Sequence, residues 1–337
     1  MSMQLSALST EYVQRLPNHK CRADYIRAAS RRAIVLMRLT IQFCTYKRPR
    51  LLARVLEACF GQNMPADQYE VVLVNDGSPD ETPGVIERMR SLATCRFEVI
   101  HQPNGGLAKA RNAGIARSTG ERIVFIDDDV LPTPVFAAEH LRSDETAGDV
   151  IVRGGVINTA SFDKLPPPHW TLANYSGNFF WTTNVSVRLA RLERAGRFDE
   201  AFSEYGWEDI ELGMRLRKIG TKAVFNKNAL AFHYKPPPAG TDVAGILRQV
   251  RAQARTAVQL HARHPHWRVA LAIGDTLPQR MLGEAFQKSG LAKRIAPLAG
   301  PAEAGHRLSP LQRAAAQLLA TDAYYDELAR ARRAARG

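Results

Sequence analysis

The chain has 337 residues, 45% hydrophobic and 23% charged, a composition that excludes general disorder and suffices for one large or two modest cores. No apolar run reaches the roughly 20 residues that span a bilayer, and no uncharged N-terminal stretch is long enough for a secretory signal, so a cytoplasmic protein is expected. The formal charge of +13 would point to nucleic acid or a membrane if spread over the fold. It is not: residues 1–38 supply +5, residues 241–337 supply +8, and the centre is neutral.

Three regions follow. Residues 1–38 form a basic N-terminal extension, read either as a helical arm from Tyr12 to Leu36 or as residues ahead of a start at Met37. Residues 39–240 form an α/β catalytic domain with a nucleotide-binding half (39–130) and an acceptor half (131–240). Residues 241–337 form a basic helical C-terminal extension. Cys21, Cys44, Cys59 and Cys95 show no metal-site spacing and read as buried apolar residues.

From Leu39 the chain alternates short apolar runs with segments of helical period, the pattern of βαβ units around a mostly parallel sheet. Leu39–Cys44 reads as a first strand, followed by a helix whose Leu51, Leu52, Val55, Leu56 and Cys59 share a face. Tyr69–Val74 is a second strand running into Asn75-Asp76-Gly77-Ser78, with Val85, Ile86 and Met89 on the helix behind it. Phe97–His101 is a third strand, Gly105-Gly106 opens a helix through Ile115, and Ile123–Ile126 is a fourth strand ending at Asp127-Asp128-Asp129. From residue 150 the pattern is less regular, with a loop at Pro166–Pro168 and a helix over Trp207–Gly220.

Ligands of open α/β sheets bind beyond the carboxyl ends of the strands, and polar residues stand at those ends here. Three consecutive aspartates repel one another unless their charge is used. They read either as a solvated acidic turn or as ligands to Mg²⁺ or Mn²⁺, which take one or two carboxylates plus diphosphate oxygens. Asp76 ends its strand in the same way and can accept from an amide N–H such as the uracil ring presents, though taken alone a plain strand-to-helix turn explains it better. Glu208 and Asp209 begin a helix whose Ile210, Met214 and Ile219 are expected on the buried side; dipole stabilisation alone accounts for acids there.

In order and spacing, Thr45-Tyr46-Lys47-Arg48-Pro49, Asn75–Ser78, Asn104–Gly114 and Phe125–Asp129 resemble the family 2 glycosyltransferases, whose fold is GT-A: a Rossmann-like, mostly parallel sheet flanked by helices. The resemblance covers residues 39–235 and implies a nucleotide-sugar donor, a UDP-sugar by this likeness, with transfer to an acceptor hydroxyl. It places Thr45, Lys47, Arg48, Asp76, Gly105, Asp127 and Asp128 at the nucleotide-sugar, with either Lys109 or Arg111 adding charge. Asp129 and His233 then hold Mn²⁺ or Mg²⁺. The segment Trp207-Glu208-Asp209 resembles the Trp-Glu-Asp motif and the C-terminal half of galactosyltransferase-type enzymes. By that likeness Asp209 is the catalytic base, Glu208 binds acceptor hydroxyls and Trp207 faces a sugar ring.

Specificity is expected in residues 150–205, including Trp170, Tyr175, Phe179, Phe180 and Trp181, with Trp181 and Asn184 as sugar contacts. The implied chemistry is an inverting displacement, and no Ser-His-Asp or Cys-His arrangement suggests a covalent intermediate. A nucleotidyltransferase should carry a Gly-rich basic loop after the first strand, where this chain has Thr45–Arg50. A non-catalytic polymer-binding protein should carry its charge on the core, which is neutral. The acceptor is a glycan, free or linked to lipid or protein. For the extension, Val243–His261 is amphipathic and reads either as packed on the catalytic domain or as resting on an anionic membrane.

Overall fold

The computed structural model describes residues 37–174, 177–236, 243–299 and 309–335. The basic arm, Cys21 and Tyr175 lie outside them. Strands β1 (Leu39–Thr45), β2 (Tyr69–Asn75), β3 (Arg96–His101) and β4 (Arg122–Ile126) alternate with helices α1 (Pro49–Phe60), α2 (Thr82–Arg90) and α3 (Leu107–Arg117). The second half adds β5 (Val130–Pro132), α4 (Phe136–Ala147), β6 (Val150–Thr159), β7 (Asn184–Arg188), α5 (Leu189–Ala195), α6 (Glu208–Lys218) and β8 (Lys222–Tyr234). It ends in five helices: α7 (Val243–Arg263), α8 (Trp267–Ala272), α9 (Leu277–Lys288), α10 (Leu291–Ile295) and α11 (Pro310–Ala334).

One eight-stranded sheet runs β3-β2-β1-β4-β7-β6-β8-β5. Strands β1 to β4 are parallel, β7 is antiparallel to both neighbours, and β8 pairs parallel with β6 and antiparallel with β5. The two-residue period of the strands separates two cores. Leu39, Ile41 and Phe43 of β1, with Val124 and Ile126 of β4, face α1, α2 and α4, whereas Ile123 and Phe125 face α3, α5 and α6. Each helix buries the face its sequence period marks: on α1 Leu52, Val55, Leu56 and Cys59 are buried. Gly114 lets α3 approach β1, since a Cβ there would lie 2.3 Å from the Gln42 side-chain amide.

Three readings change. Strands β6 and β7 were not legible. Gly154-Gly155 divides β6 as a turn would, yet marks a register shift in the pairing with β8, and a Cβ on Gly154 would lie 2.1 Å from the Ala229 carbonyl. On α6 the fully buried apolar residues are Leu212 and Leu216, while Ile210 and Met214 are half-buried on a third cluster formed with the C-terminal helices; Ile219 is half-buried on the cluster with α5. Of the cysteines, Cys59 is buried but Cys44 and Cys95 only partly so.

The expected amphipathic helix exists as α7, but it packs along α11. Ala254 and Ala257 are buried, Val258 packs in the same cluster, and Arg255 is paired with Glu204 and Glu327. That face is used inside the protein.

Candidate active site

The strand ends β1, β2 and β4, the segment 177–183, the start of α6 and the end of β8 surround one cleft of about 1850 Å³. The β5–β8 pairing builds its floor. Val130 stands opposite His233, and the Tyr234 N–H donates to the Asp129 carbonyl at 2.8 Å. Residues more than a hundred positions apart thereby become neighbours: His233 Nε2 lies 3.6 Å from Asp129 Oδ1. Asn158 Oδ1 is 3.2 Å from His233 Nδ1. An Nδ1–H donated to that oxygen leaves the Nε2 lone pair toward Asp129, the outer arrangement usual for a metal-binding imidazole.

Among the described residues no group of three or more His, Cys, Asp or Glu is arranged to hold a metal. Asp129 and His233 therefore offer two donors, which suits ions that complete their shell with diphosphate and water.

Each aspartate of the triplet has its own partners. Asp127 Oδ2 accepts from the Thr183 hydroxyl at 2.7 Å, and its Oδ1 lies 3.4 Å from Arg111 Nη2. Asp128 accepts from the Thr45 hydroxyl at 2.8 Å, and Asp129 from Arg48 Nη1 at 2.7 Å. Repulsion within the triplet is thus relieved partly by Arg48 and Arg111, in addition to any cation or solvent. Desolvation pushes Asp128 up to about 7 against the pull of Arg48, and the same desolvation raises Asp129.

Asp76 lines the cleft and also holds the turn that follows its strand. Its Oδ1 accepts from Gln102 Nε2 (2.7 Å) and Gly105 N (2.9 Å), and its Oδ2 from Asn104 Nδ2 (3.2 Å) and Gly106 N (3.1 Å). Four internal donors fill the carboxylate. They hold the loop that opens α3, where Gly106 has φ +86° and a Cβ would come within 2.6 Å of the Ser203 carbonyl.

Arg111 is the basic residue of α3 that reaches the cleft. It is buried and binds Glu208 Oε1 (2.8 Å) and the Thr182 hydroxyl (2.6 Å), with its guanidinium 5.3 Å from the Phe198 ring centre. Lys109 is exposed and does not line the cleft. Neither does Lys47, whose ammonium lies 4.9 Å from the Tyr46 ring centre, nor Gly105.

Glu208 and Asp209 begin α6 behind an unusual turn. Trp207 has φ +72°, a left-handed conformation costing a non-glycine residue about 1–3 kcal/mol. Its indole N–H donates to the Gln253 carbonyl of α7 at 3.0 Å, which holds the turn. Trp207 packs on the C-terminal helices and also lines the cleft, as does Trp181. Glu208 is buried with Oε1 on Arg111 and no partner at Oε2. Asp209, at the cleft wall, accepts from the Ile210 N–H at 2.7 Å. Desolvation first, and then the Glu208 carboxylate, push it up to about 7 against the opposing Arg111.

Asn184 is not a sugar contact. It is buried, donates to the Gly155 and Ala229 carbonyls at 2.9 Å each, and pairs with His140 Nε2 at 3.0 Å. Burial lowers that histidine to about 3, so it is neutral. Of the cleft residues the sequence reading missed, Thr182 and Thr183 follow directly on Trp181. Gln249, Gln253, His266 and Arg268 come from the C-terminal helices, where no motif marks them. Cys44 lines the cleft, and burial pushes its thiol up to about 12, away from the thiolate form that a nucleophile needs.

A sheet of this order with paired acidic strand ends and a helix-start carboxylate on one cleft is the GT-A architecture of glycosyltransferases. Within it, residues 40–199 match the family model "Glycosyl transferase family 2". The match ends before Trp207–Asp209.

Chondroitin synthase of Escherichia coli is 24% identical over 250 residues, 61% of this chain and 36% of that protein. Validoxylamine A glucosyltransferase of Streptomyces hygroscopicus subsp. jinggangensis is 29% identical over 221 residues, 54% of this chain and 52% of that protein. The chain thus spans about a third to a half of the length of these relatives. Among solved structures, the mannosyltransferase PcManGT of Pyrobaculum calidifontis, in complex with GDP-Man and Mn²⁺, has a TM-score of 0.52 at 18% identity, covering 87% of this chain and 86% of that one. Staphylococcus aureus TarS 1–349 in complex with UDP has a TM-score of 0.50 at 17% identity, covering 88% and 92%.

Proposed function

We propose that this chain is an inverting, metal-dependent glycosyltransferase that moves a sugar from a UDP-sugar to the hydroxyl of a glycan acceptor. One observation carries the reading: the Asp129–His233 pair and the Asp209 carboxylate line the same cleft. Asp129 and His233 would hold Mn²⁺ or Mg²⁺, which when bound neutralises charge on the departing diphosphate. Of the similar structures, one holds GDP-Man with Mn²⁺ and another UDP, which supports a metal and a nucleotide donor in this cleft. If uracil is read by Asp76, its imide N–H takes the place of the Gln102 or Asn104 amide.

In this reading Asp209 takes the proton of the acceptor hydroxyl as that oxygen bonds to the anomeric carbon and the carbon–diphosphate bond breaks. Its carboxylate suits the task, because a base that titrates near 7 is about half ionised at neutral pH and takes a proton readily. Arg111 positions Glu208 and Asp127, coupling the acceptor side to the nucleotide side. The C-terminal helices wall the acceptor side through Gln249, Gln253 and His266.

The test is a nucleotide-sugar panel assayed with Mn²⁺, Mg²⁺ and chelator, with product configuration read by NMR. Metal-dependent turnover of a UDP-sugar with inversion is expected. A retained configuration refutes the single displacement, and turnover of a GDP-sugar alone refutes the uridine assignment.

A further inference from the structure

At the edge of the cleft, large exposed apolar side chains gather on two consecutive helices. On α8, Trp267 is 64% exposed and Leu271, one turn later, 51%. On α9, Leu277, Met281 and Leu282 are 67%, 63% and 71% exposed. Helical spacing puts these three on one arc. The opposite side is the one that packs: Gly283 is the buried residue of α9, and a Cβ there would lie 2.9 Å from the Tyr325 ring. The helix is amphipathic with its apolar side turned outward.

The two helices form one unit. The Gln279 side chain donates to the Leu271 carbonyl at 3.2 Å, and Arg280 forks onto Asp275 with two contacts of 2.9 Å. Gly274, between them, also rests on Tyr325. Single exposed leucines are ordinary, but a patch of this kind marks an interaction surface.

The flanking charges identify the partner. Arg268 and Lys288 are exposed and in no ion pair among the described residues, while Glu284 is the acid that α9 contributes. The Arg268 guanidinium lies 5.4 Å from the Trp267 ring centre, a basic head beside an amphipathic ring. An apolar arc rimmed by cations matches an acyl boundary beneath anionic headgroups. A second copy is a poor match, since face-to-face pairing about a twofold axis brings the two basic rims together.

We propose that the α8–α9 face is a docking surface for an anionic lipid bilayer. Binding does not rest on the reading of the cleft. Because His266, Arg268 and Ala272 also line the cleft, a docked bilayer stands at the edge of its acceptor wall.

The full chain is sedimented with phosphatidylglycerol-containing and pure phosphatidylcholine vesicles, at low and raised salt. Expected are binding to the anionic vesicles that weakens with salt, and a partition coefficient at least about tenfold lower for Met281→Glu/Leu282→Glu. Leu92→Glu, at an equally open site (59% exposed) after α2, should bind as wild type. Circular dichroism checks that the variants fold. No binding at low salt, equal binding to neutral vesicles, or equal loss in Leu92→Glu overturns the proposal. So does a solution dimer that Met281→Glu/Leu282→Glu dissociates, which would assign the face to a second copy.

Discussion

Asp209 offers the sharpest test of the proposed chemistry. Its carboxylate is held near 7 by desolvation and by Glu208, whereas an unperturbed aspartate titrates near 3.9. If it is the base, about 1% is ionised at pH 5 and about 90% at pH 8, so kcat/KM should rise roughly a hundredfold across that interval. An unperturbed carboxylate would change by about a tenth. Asp209→Asn should lower turnover by at least about a hundredfold, with metal-dependent nucleotide binding intact by calorimetry and the acid limb of the profile abolished. Glu208→Gln removes the like charge and should move the limb to lower pH. The profile is measured with saturating metal at each pH. If Asp209→Asn keeps near-wild-type turnover, or Glu208→Gln leaves the limb in place, the carboxylate pair is only a helix start.

Further expectations follow from neighbouring contacts. Since the folded protein keeps the Asp209 proton between about pH 4 and 7 while the unfolded chain has lost it, stability falls with rising pH over that window; Asp209→Asn should raise Tm at pH 8 and leave it nearly unchanged near pH 4. Asp129→Ala should abolish metal-dependent UDP binding in a folded protein, and unchanged affinity would remove the triplet from the site. Asn158→Ala, which frees the His233 ring, should weaken metal affinity about 10–100-fold without altering metal-free nucleotide binding. Asn184→Ala should cost about 1–3 kcal/mol in denaturant unfolding, because it orphans buried groups around it. Its donor KM should not change.

The first half of the sheet was legible in the residues because its information is local. Alternation in β1, β2 and β4, the helical period of α1 and the polar strand ends are each set by a few adjacent side chains. Strand order then follows from short right-handed crossovers, so Asp76 and the triplet fall at one edge of the sheet. Trp207–Asp209 and His233 were singled out by motif and spacing, and the structure sets them on the same cleft.

What the sequence alone could not decide is which polar atoms are already satisfied. Asn184 and Trp181 are three residues apart and equally suggestive, yet one is spent on two carbonyls and a histidine inside the sheet and the other lines the cleft. Lys109 and Arg111 share a helix, but the helical turn exposes one and buries the other against Glu208, a partner 97 residues away. The same holds for the apolar faces: α7 has the stronger amphipathic sequence and is covered by α11, while the weaker face of α9 remains outside because Gly283 turns its other side to Tyr325. Pattern and spacing determine which side chains share a face. Only the packed chain decides what meets that face, since the contact is made by segments the local sequence does not contain.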